Sequence, residues 1–374
     1  KALSYFFQLR YVPGERTMFD GVFKLGAGCL LSYNKNGLSV TNWHDQAEKF
    51  SLIEPQESFS KNELKKTIRT AVHDRMISDV PLGVFLSGGL DSAVVATLMS
   101  EKNPNVKTFT IGFPDSKEYD ESKEARLMSM HLGSDHTEIN VTAPSILNSL
   151  DLVFDGLDEP FSDNSAIPMY VLAQNVKDHV TVALSGDGGD EIFAGYRKYK
   201  ANMLAEKYQE IFKKITMGLE TRSKYFSKKE NKWNESILRI IEFSSESNLD
   251  KRLSKVMTSR IEHNLIKGIS IGKIDDLISH QLSEIRTSDI INKILYFDQN
   301  NSLVDQMLTK VDRMSMASGL EVRSPFLDQR VVDFVNKIKG KEKLSMFKNK
   351  PLLERTFKND IPKKVFRMKK KGFD

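Results

Sequence analysis

The chain is poor in the residues that staple or anchor proteins. It has one cysteine, Cys29, in 374 residues. That excludes a disulfide within one chain and a cysteine-rich metal site, and it fits a reducing compartment such as the cytoplasm. No apolar run approaches the ~20 residues of a membrane span, so no membrane partner is expected. The seven histidines show no zinc-ligand spacing, and His131 and His136 read as structural. There is no Gly-x-x-x-x-Gly-Lys-Ser/Thr loop and no Gly-x-Gly-x-x-Gly after a strand. There is no Gly-x-Ser-x-Gly elbow and no kinase His-Arg-Asp set. Internal repeats, low-complexity tracts and a signal peptide are not visible either. The chain opens on Lys1 rather than Met and stops at Asp374 in a basic run, so it reads as a fragment trimmed at both ends.

What is there describes a globular chain long enough for two domains. It is 40% hydrophobic and 28% charged, with a net charge of +5 and a pI of about 8.9. Much of the positive excess gathers in Lys363-Lys364, Arg367 and Lys369-Lys370-Lys371. Such a cluster suits an anionic phosphate ligand, nucleic acid or a solvated tail. Only Phe366 and Phe373 accompany it, too few aromatics for base stacking, so no nucleic-acid partner is expected.

The stretch Leu82 to Ser92 organises the rest. Leu82-Gly83-Val84-Phe85-Leu86 reads as a buried strand, Ser87-Gly88-Gly89-Leu90-Asp91-Ser92 as a tight turn, and Ala93 to Met99 as a helix. Strand, glycine-rich turn and helix N-terminus together make an anion cradle, with backbone N–H groups directed at a phosphate. Asp91 would repel an anion alone. It makes sense if Mg²⁺ sits between it and the phosphates. The alternative is a sharp turn in which Asp91 is only a cap.

Residues 1–45 carry short β-type runs at Phe6-Phe7, Tyr11-Val12, Gly21 to Phe23, Cys29 to Tyr33 and Leu38 to Val40. They read as the end of a larger β domain, followed by a polar linker over 46–60. Residues 61–374 then form the main domain. Leu64, Ile68, Ala71, Val72 and Met76 predict a helix. Further strands are predicted at Lys107 to Phe113, Thr137 to Val141 and Val180 to Leu184. Helices are predicted at Glu118 to Leu132, closed by Gly133, and at Ile167 to Val176. This alternation implies an α/β fold with a parallel sheet covered on both faces and ligands beyond the strands' carboxyl ends. Residues 201–300 read as a helical insertion, with Ile237, Ile240 and Ile241 on one face. Asn301 to Ser318 reads as one helix, its Met307 and Met314 in the core.

A second glycine-acid loop, Ser185-Gly186-Asp187-Gly188-Gly189-Asp190-Glu191, follows the last of these strands. Asp91 and Asp190 would hold Mg²⁺ between them, with phosphate oxygens completing the shell. That predicts a nucleoside triphosphate as ligand and release of pyrophosphate or phosphate.

These residues resemble a known family. Ser87 to Ser92 is similar to the pyrophosphate loop of the ATP pyrophosphatase superfamily, which has a Rossmann-like parallel sheet. Ser185 to Glu191 with Phe193-Ala194-Gly195-Tyr196 resembles the second signature of glutamine-dependent asparagine synthetases. So do Asp312 to Ala317 with Glu321 to Asp328, and Lys350-Pro351-Leu352-Leu353 with Arg367 to Phe373. Tyr11 to Gly14 and Arg16 to Phe19 resemble the tail of that family's β-rich glutaminase domain.

The resemblance implies an ATP-dependent ligase. Aspartate's side-chain carboxylate is adenylated and ammonia then displaces AMP to give asparagine. It implies that Ser87, Gly88, Gly89, Asp91 and Ser92 grip pyrophosphate, and that Asp91 and Asp190 hold Mg²⁺. Phe85, Leu86 and the backbone at Ile111 and Gly112 would seat adenosine, with Ser185 and Gly186 counted among the nucleotide-binding residues. Lys370 is the implied catalytic lysine, with Lys369 and Lys371 in neighbouring register. Asp187 is the implied acid near the acyl centre. Glu159-Pro160 and Asp163-Asn164-Ser165 would contact the amino-acid substrate. The glutaminase nucleophile is not matched by Cys29, so ammonia is expected from the missing glutaminase domain, and free ammonia could also serve. Relatives that amidate other carboxylates, including sugar acids, stay open as the alternative, as does a non-catalytic nucleotide-binding relative. A homodimer is left open.

Overall fold

The computed structural model describes residues 1–51, 54–223, 243–258 and 274–368, and of residues 215–223 only the helical backbone. Among them, β1 (Cys29–Asn34) and β2 (Gly37–Asn42) pair as an antiparallel hairpin. β3 (Leu82–Phe85), β4 (Lys107–Gly112), β5 (Asp135–Asn140), β6 (Val182–Leu184) and β7 (Glu321–Arg323) form a parallel sheet in the order β5-β4-β3-β6-β7. The fold is α/β, as the alternation predicts.

β3 and β6 lie at the centre, and their apolar runs suit strands covered on both faces. Helix Leu90–Ser100 is buried from Ser92 to Ala96 and again at Leu98 and Met99. It packs between the sheet and helix Lys61–Arg75. The latter helix buries Leu64, Ile68, Ala71 and Val72, four of the five residues whose spacing predicted it; the fifth, Met76, is its C-cap, and Ser60 caps its N-terminus. Gly133 closes helix Ser122–Leu132 at φ 65°, the left-handed conformation glycine favours.

The chain runs outward from β3 to β4 to β5, then returns to β6 on the other side of β3. The β3/β6 boundary is therefore a topological switch point, where loops leave in opposite directions and open a crevice. The loops after β3 and β6 are the two glycine-acid loops. Their adjacency follows from the register Val84↔Leu184.

Several expectations are corrected. Phe6-Phe7 lies in helix Ala2–Leu9 rather than in a strand, with Ser4 and Leu9 as its buried residues. Gly21 to Phe23 contributes only an isolated bridge, Arg16↔Phe23. Residues 46–60 include helix Gln46–Ser51, whose Phe50 is buried beside Ile285 and Tyr296. Gln56 there exchanges backbone bonds with Lys337 and Lys339. Asn301 to Ser318 divides into a π-helix, Ser302–Leu308, and an α-helix, Thr309–Met316. Helix Ala143–Gly156 and strand β7 complete the layers of the fold without a sequence signal of their own. In the helical region, Arg197–Ser223, Leu249–Met257, Ile274–Ser283 and Ile290–Asn300 are helices. Ile237, Ile240 and Ile241 lie outside the described residues. No helix among the described residues is long and apolar enough to cross a membrane.

Candidate active site

The loop after β3 is tied by its own serines. Ser92 Oγ accepts from the Ser87 N–H at 3.1 Å, and the two hydroxyls lie 2.9 Å apart. The Gly89 N–H donates to Ser87 Oγ at 3.2 Å. Gly89 is the N-cap of helix Leu90–Ser100 and offers no side chain to the helix's first N–H groups. The loop after β6 packs directly against it. A Cβ on Gly186 would stand 2.8 Å from Asp91 Cβ and 2.9 Å from the Ser92 nitrogen, so only glycine allows this approach.

Both loops open onto one cleft of about 580 Å³. Of the residues expected in the site, Phe85, Ser87, Gly88, Gly89, Asp91, Ser92, Ile111, Ser185, Gly186, Asp187 and Asp190 all line it. Leu86 and Gly112 do not. Leu86 is fully buried beneath the loop, its N–H donating to Phe109 O at 2.7 Å. The Gly112 carbonyl is bonded by the Val141 N–H at 2.8 Å on the far side of β4. Lys370, with Lys369 and Lys371, lies outside the described residues. Asp163, Asn164 and Ser165 reach the cleft. Glu159 turns away, accepting from the Met18 N–H at 3.1 Å and facing Lys24 at 3.7 Å.

The charged centre holds a residue to which the sequence attached no role. Lys350 Nζ donates to Asp91 Oδ2 and lies 2.7 Å from Asp190 Oδ1. Its side chain is only 6% exposed, and Asp190's 9%, so the three charges interact with little screening. Lys350 sits in the left-handed region at φ 49° and begins helix Pro351–Phe357. The Lys-Pro pair was the available signal, since proline at N1 marks a helix start. Only the fold brings Lys350 to carboxylates so far away in sequence. Gly195 makes room for the arrangement; a Cβ there would overlap Asp190 and Lys350.

Two carboxylates converging on one ammonium fit a shared hard cation. Mg²⁺ takes one or two protein carboxylates and completes its shell with phosphate oxygens and water. No group of three or more His, Cys, Asp and Glu side chains suited to a metal occurs among the described residues. Asp91 and Asp190 are thus the two carboxylates on hand at this point of the cleft.

Beside this centre, Glu191 is buried and lines the cleft. Burial, and then the charge of Asp190, push its carboxyl up to about 7, while Tyr196 Oη donates to Glu191 Oε1 at 2.6 Å. Lys310 is also buried. Its Nζ donates to Ser165 Oγ at 2.7 Å and lies 3.3 Å from Asp163 Oδ2. Nothing in the sequence marks Glu191, Tyr196 or Lys310 individually for a role; the fold brings them to the cleft.

Residues 63–374 match the family model described as asparagine synthase. The chain belongs to the asparagine synthase family. It is 29% identical over 378 residues to asparagine synthetase [glutamine-hydrolyzing] 1 of Bacillus subtilis, covering 100% of this chain and 58% of that protein. It is 23% identical to amidase chyE of Penicillium rubens, covering 96% and 59%. The chain thus spans a little over half the length of these curated relatives. Among solved structures, NMN synthetase from Francisella tularensis matches with a TM-score of 0.30 and 15% identity, over 71% of this chain and 99% of that one.

Proposed function

We propose that this asparagine synthase family chain is an ATP-dependent amide ligase. It adenylates the side-chain carboxylate of aspartate and transfers the acyl group to ammonia, giving asparagine, AMP and pyrophosphate. The observation that carries the reading is the meeting of Asp91, Asp190 and Lys350 at the switch point of the sheet. A carboxylate is a poor acyl donor, and adenylation supplies the leaving group it lacks.

In this reading the Ser87–Ser92 loop and the N-terminus of the following helix hold the outer phosphates of ATP. Phe85 and Ile111 face the adenosine. Asp91 and Asp190 would hold Mg²⁺, which when bound neutralises phosphate charge and steadies departing pyrophosphate. Lys350 lies beside both acids and meets charge as it builds on the phosphates. The aspartate carboxylate oxygen attacks the α-phosphorus, and the bond from that phosphorus to pyrophosphate breaks. Ammonia then attacks the acyl carbon and AMP leaves, with Asp187 accepting the proton from nitrogen. Lys370 is assigned to the charge on the α-phosphate. We assign glutamine as the ultimate nitrogen source and the cytoplasm as the compartment.

A second reading keeps the chemistry and changes the acceptor to another carboxylate, such as a sugar acid. The differently named Penicillium relative favours including it. One assay tests both. Pyrophosphate release is measured with ATP, Mg²⁺ and ammonium against a panel of carboxylic acids. Release with aspartate, with asparagine formed, is expected. Release with another acid alone replaces the acceptor, and no release with any carboxylate overturns the ligase reading.

A further inference from the structure

Three cationic residues line the cleft among the described residues: Arg10, Lys310 and Lys350. Two are engaged. Lys350 is held by Asp91 and Asp190, and Lys310 by Ser165 and Asp163. Arg10 is exposed, and its guanidinium has no hydrogen bond or ion pair among the described residues.

The backbone of Arg10 is nonetheless fixed. It closes helix Ala2–Leu9 in the left-handed conformation, at φ 72° and ψ 5°. Its N–H donates to Phe6 O at 2.7 Å, and its carbonyl accepts from the Ser162 N–H at 2.9 Å. Ser162 leads into Asp163-Asn164-Ser165, all of which line the cleft. Three non-glycine residues among those described have positive φ: Arg10, Ala194 and Lys350. Arg10 and Lys350 line the cleft, and Ala194 precedes Gly195, which lines it too. Glycine would fill the Arg10 position at no steric cost. Arginine keeps a backbone penalty there, and such penalties gather where ligands are held.

A guanidinium is a planar fork that matches a carboxylate with two parallel hydrogen bonds. Lys350 already serves the phosphate loop, whereas Arg10 is tied to the Ser162–Ser165 loop, which contributes nothing to that cradle. The acceptor proposed above has a second carboxylate that takes no part in the chemistry. Resting on that reading, we infer that Arg10 binds the α-carboxylate of the acceptor and selects an amino acid that carries one.

The test compares aspartate with β-alanine, which keeps the amino group and the reacting carboxylate but lacks the α-carboxylate. Pyrophosphate release is followed in the intact protein and in Arg10→Gly, with ammonium as nitrogen donor. Glycine relieves the backbone penalty, so the thermal midpoint of the variant is expected to hold or rise. Its KM for aspartate rises by about ten- to a hundredfold, the usual loss for a charge-assisted pair. Its KM for ATP stays unchanged, and its preference for aspartate over β-alanine collapses. Arg10→Lys, with charge but no fork, falls between. An unchanged aspartate KM in Arg10→Gly, or a rise in the KM for ATP instead, overturns the inference and leaves the proposed ligase standing. Failure of the unaltered protein to use aspartate, with release on another acid, removes the inference together with aspartate as acceptor, and no release with any carboxylate removes the ligase reading as well.

Discussion

The residue that most shapes the site is Lys350. Its ammonium keeps Asp91 and Asp190 from facing one another as bare carboxylates. Removing one partner of a buried charge cluster leaves the others uncompensated, typically at about 3–5 kcal/mol. Lys350→Met is therefore expected to lower the thermal midpoint in metal-free buffer. Added Mg²⁺ should restore more of it than it adds to the unaltered protein, and calorimetry with and without the metal reads the difference. Equal Mg²⁺ shifts in the two proteins would argue against a shared cation position. Asp91→Asn keeps the loop's shape, and Lys350 keeps Asp190. Pyrophosphate release should fall by about a hundredfold or more while the midpoint changes little. Full activity in that variant refutes the metal assignment. Both acids were legible in the sequence because each sits in a short glycine-rich motif. Lys350 was not, because its meaning depends on partners 259 residues away for Asp91 alone.

At the scale of elements, the site depends on how helices brace the sheet. Asp328 joins two of them. It caps helix Gln329–Asn336 by accepting from the Arg330 N–H at 2.9 Å. Its carboxylate meets the Arg330 guanidinium at 2.8 Å and Arg75 of helix Lys61–Arg75 at 2.5 Å. The Arg330 hydrogen bond, more than the Arg75 contact, holds this carboxyl well below the ordinary carboxylate range. A depressed carboxyl stabilises the fold above its unfolded value near 4, and that stability is lost as pH falls below it. Asp328→Asn should cost about 1–2 kcal/mol at pH 7 and flatten the acid side of the stability profile; denaturant titrations from pH 2 to 7 check this. The periodic helix Lys61–Arg75 and the strands before both loops were legible, since apolar spacing reports burial directly. Helix Ala2–Leu9 was not, because Phe6-Phe7 alone reads equally well as a strand. The π-helix Ser302–Leu308 was not, because its side-chain pattern is nearly that of an α-helix. There Asp305 accepts from the Gly14 N–H at 2.8 Å, a bond that links the element to the N-terminal segment.

At the scale of the molecule, the sheet and the helical region have separate core clusters, and a lysine from the C-terminal part of the chain is buried against the helical region. Lys343 is fully buried, its Nζ donating to Asn292 Oδ1 at 2.8 Å, while the Asn292 amide donates to Ile338 O at 3.1 Å. Burial pushes this ammonium down to about 7. Between that value and the ordinary lysine value of about 10.4, the unfolded chain binds the extra proton, so stability rises with pH. Below about 7 the full cost of the buried charge is present. Lys343→Met should flatten this rise, seen as a urea midpoint that no longer climbs from pH 7 to 10. A variant that climbs like the unaltered protein would exclude Lys343 as the cause. The hairpin β1–β2 is different: its short β-type runs form the strands they predict, yet Leu30, Tyr33, Leu38 and Val40 are exposed. By itself the sequence determined the parallel α/β sheet and the two glycine-acid loops, because periodicity and short motifs are local consequences of burial and backbone geometry. Tertiary structure alone decided that Lys350 stands between Asp91 and Asp190. It alone brought Arg10 to the cleft, because strand order and the packing of distant segments set which side chains meet.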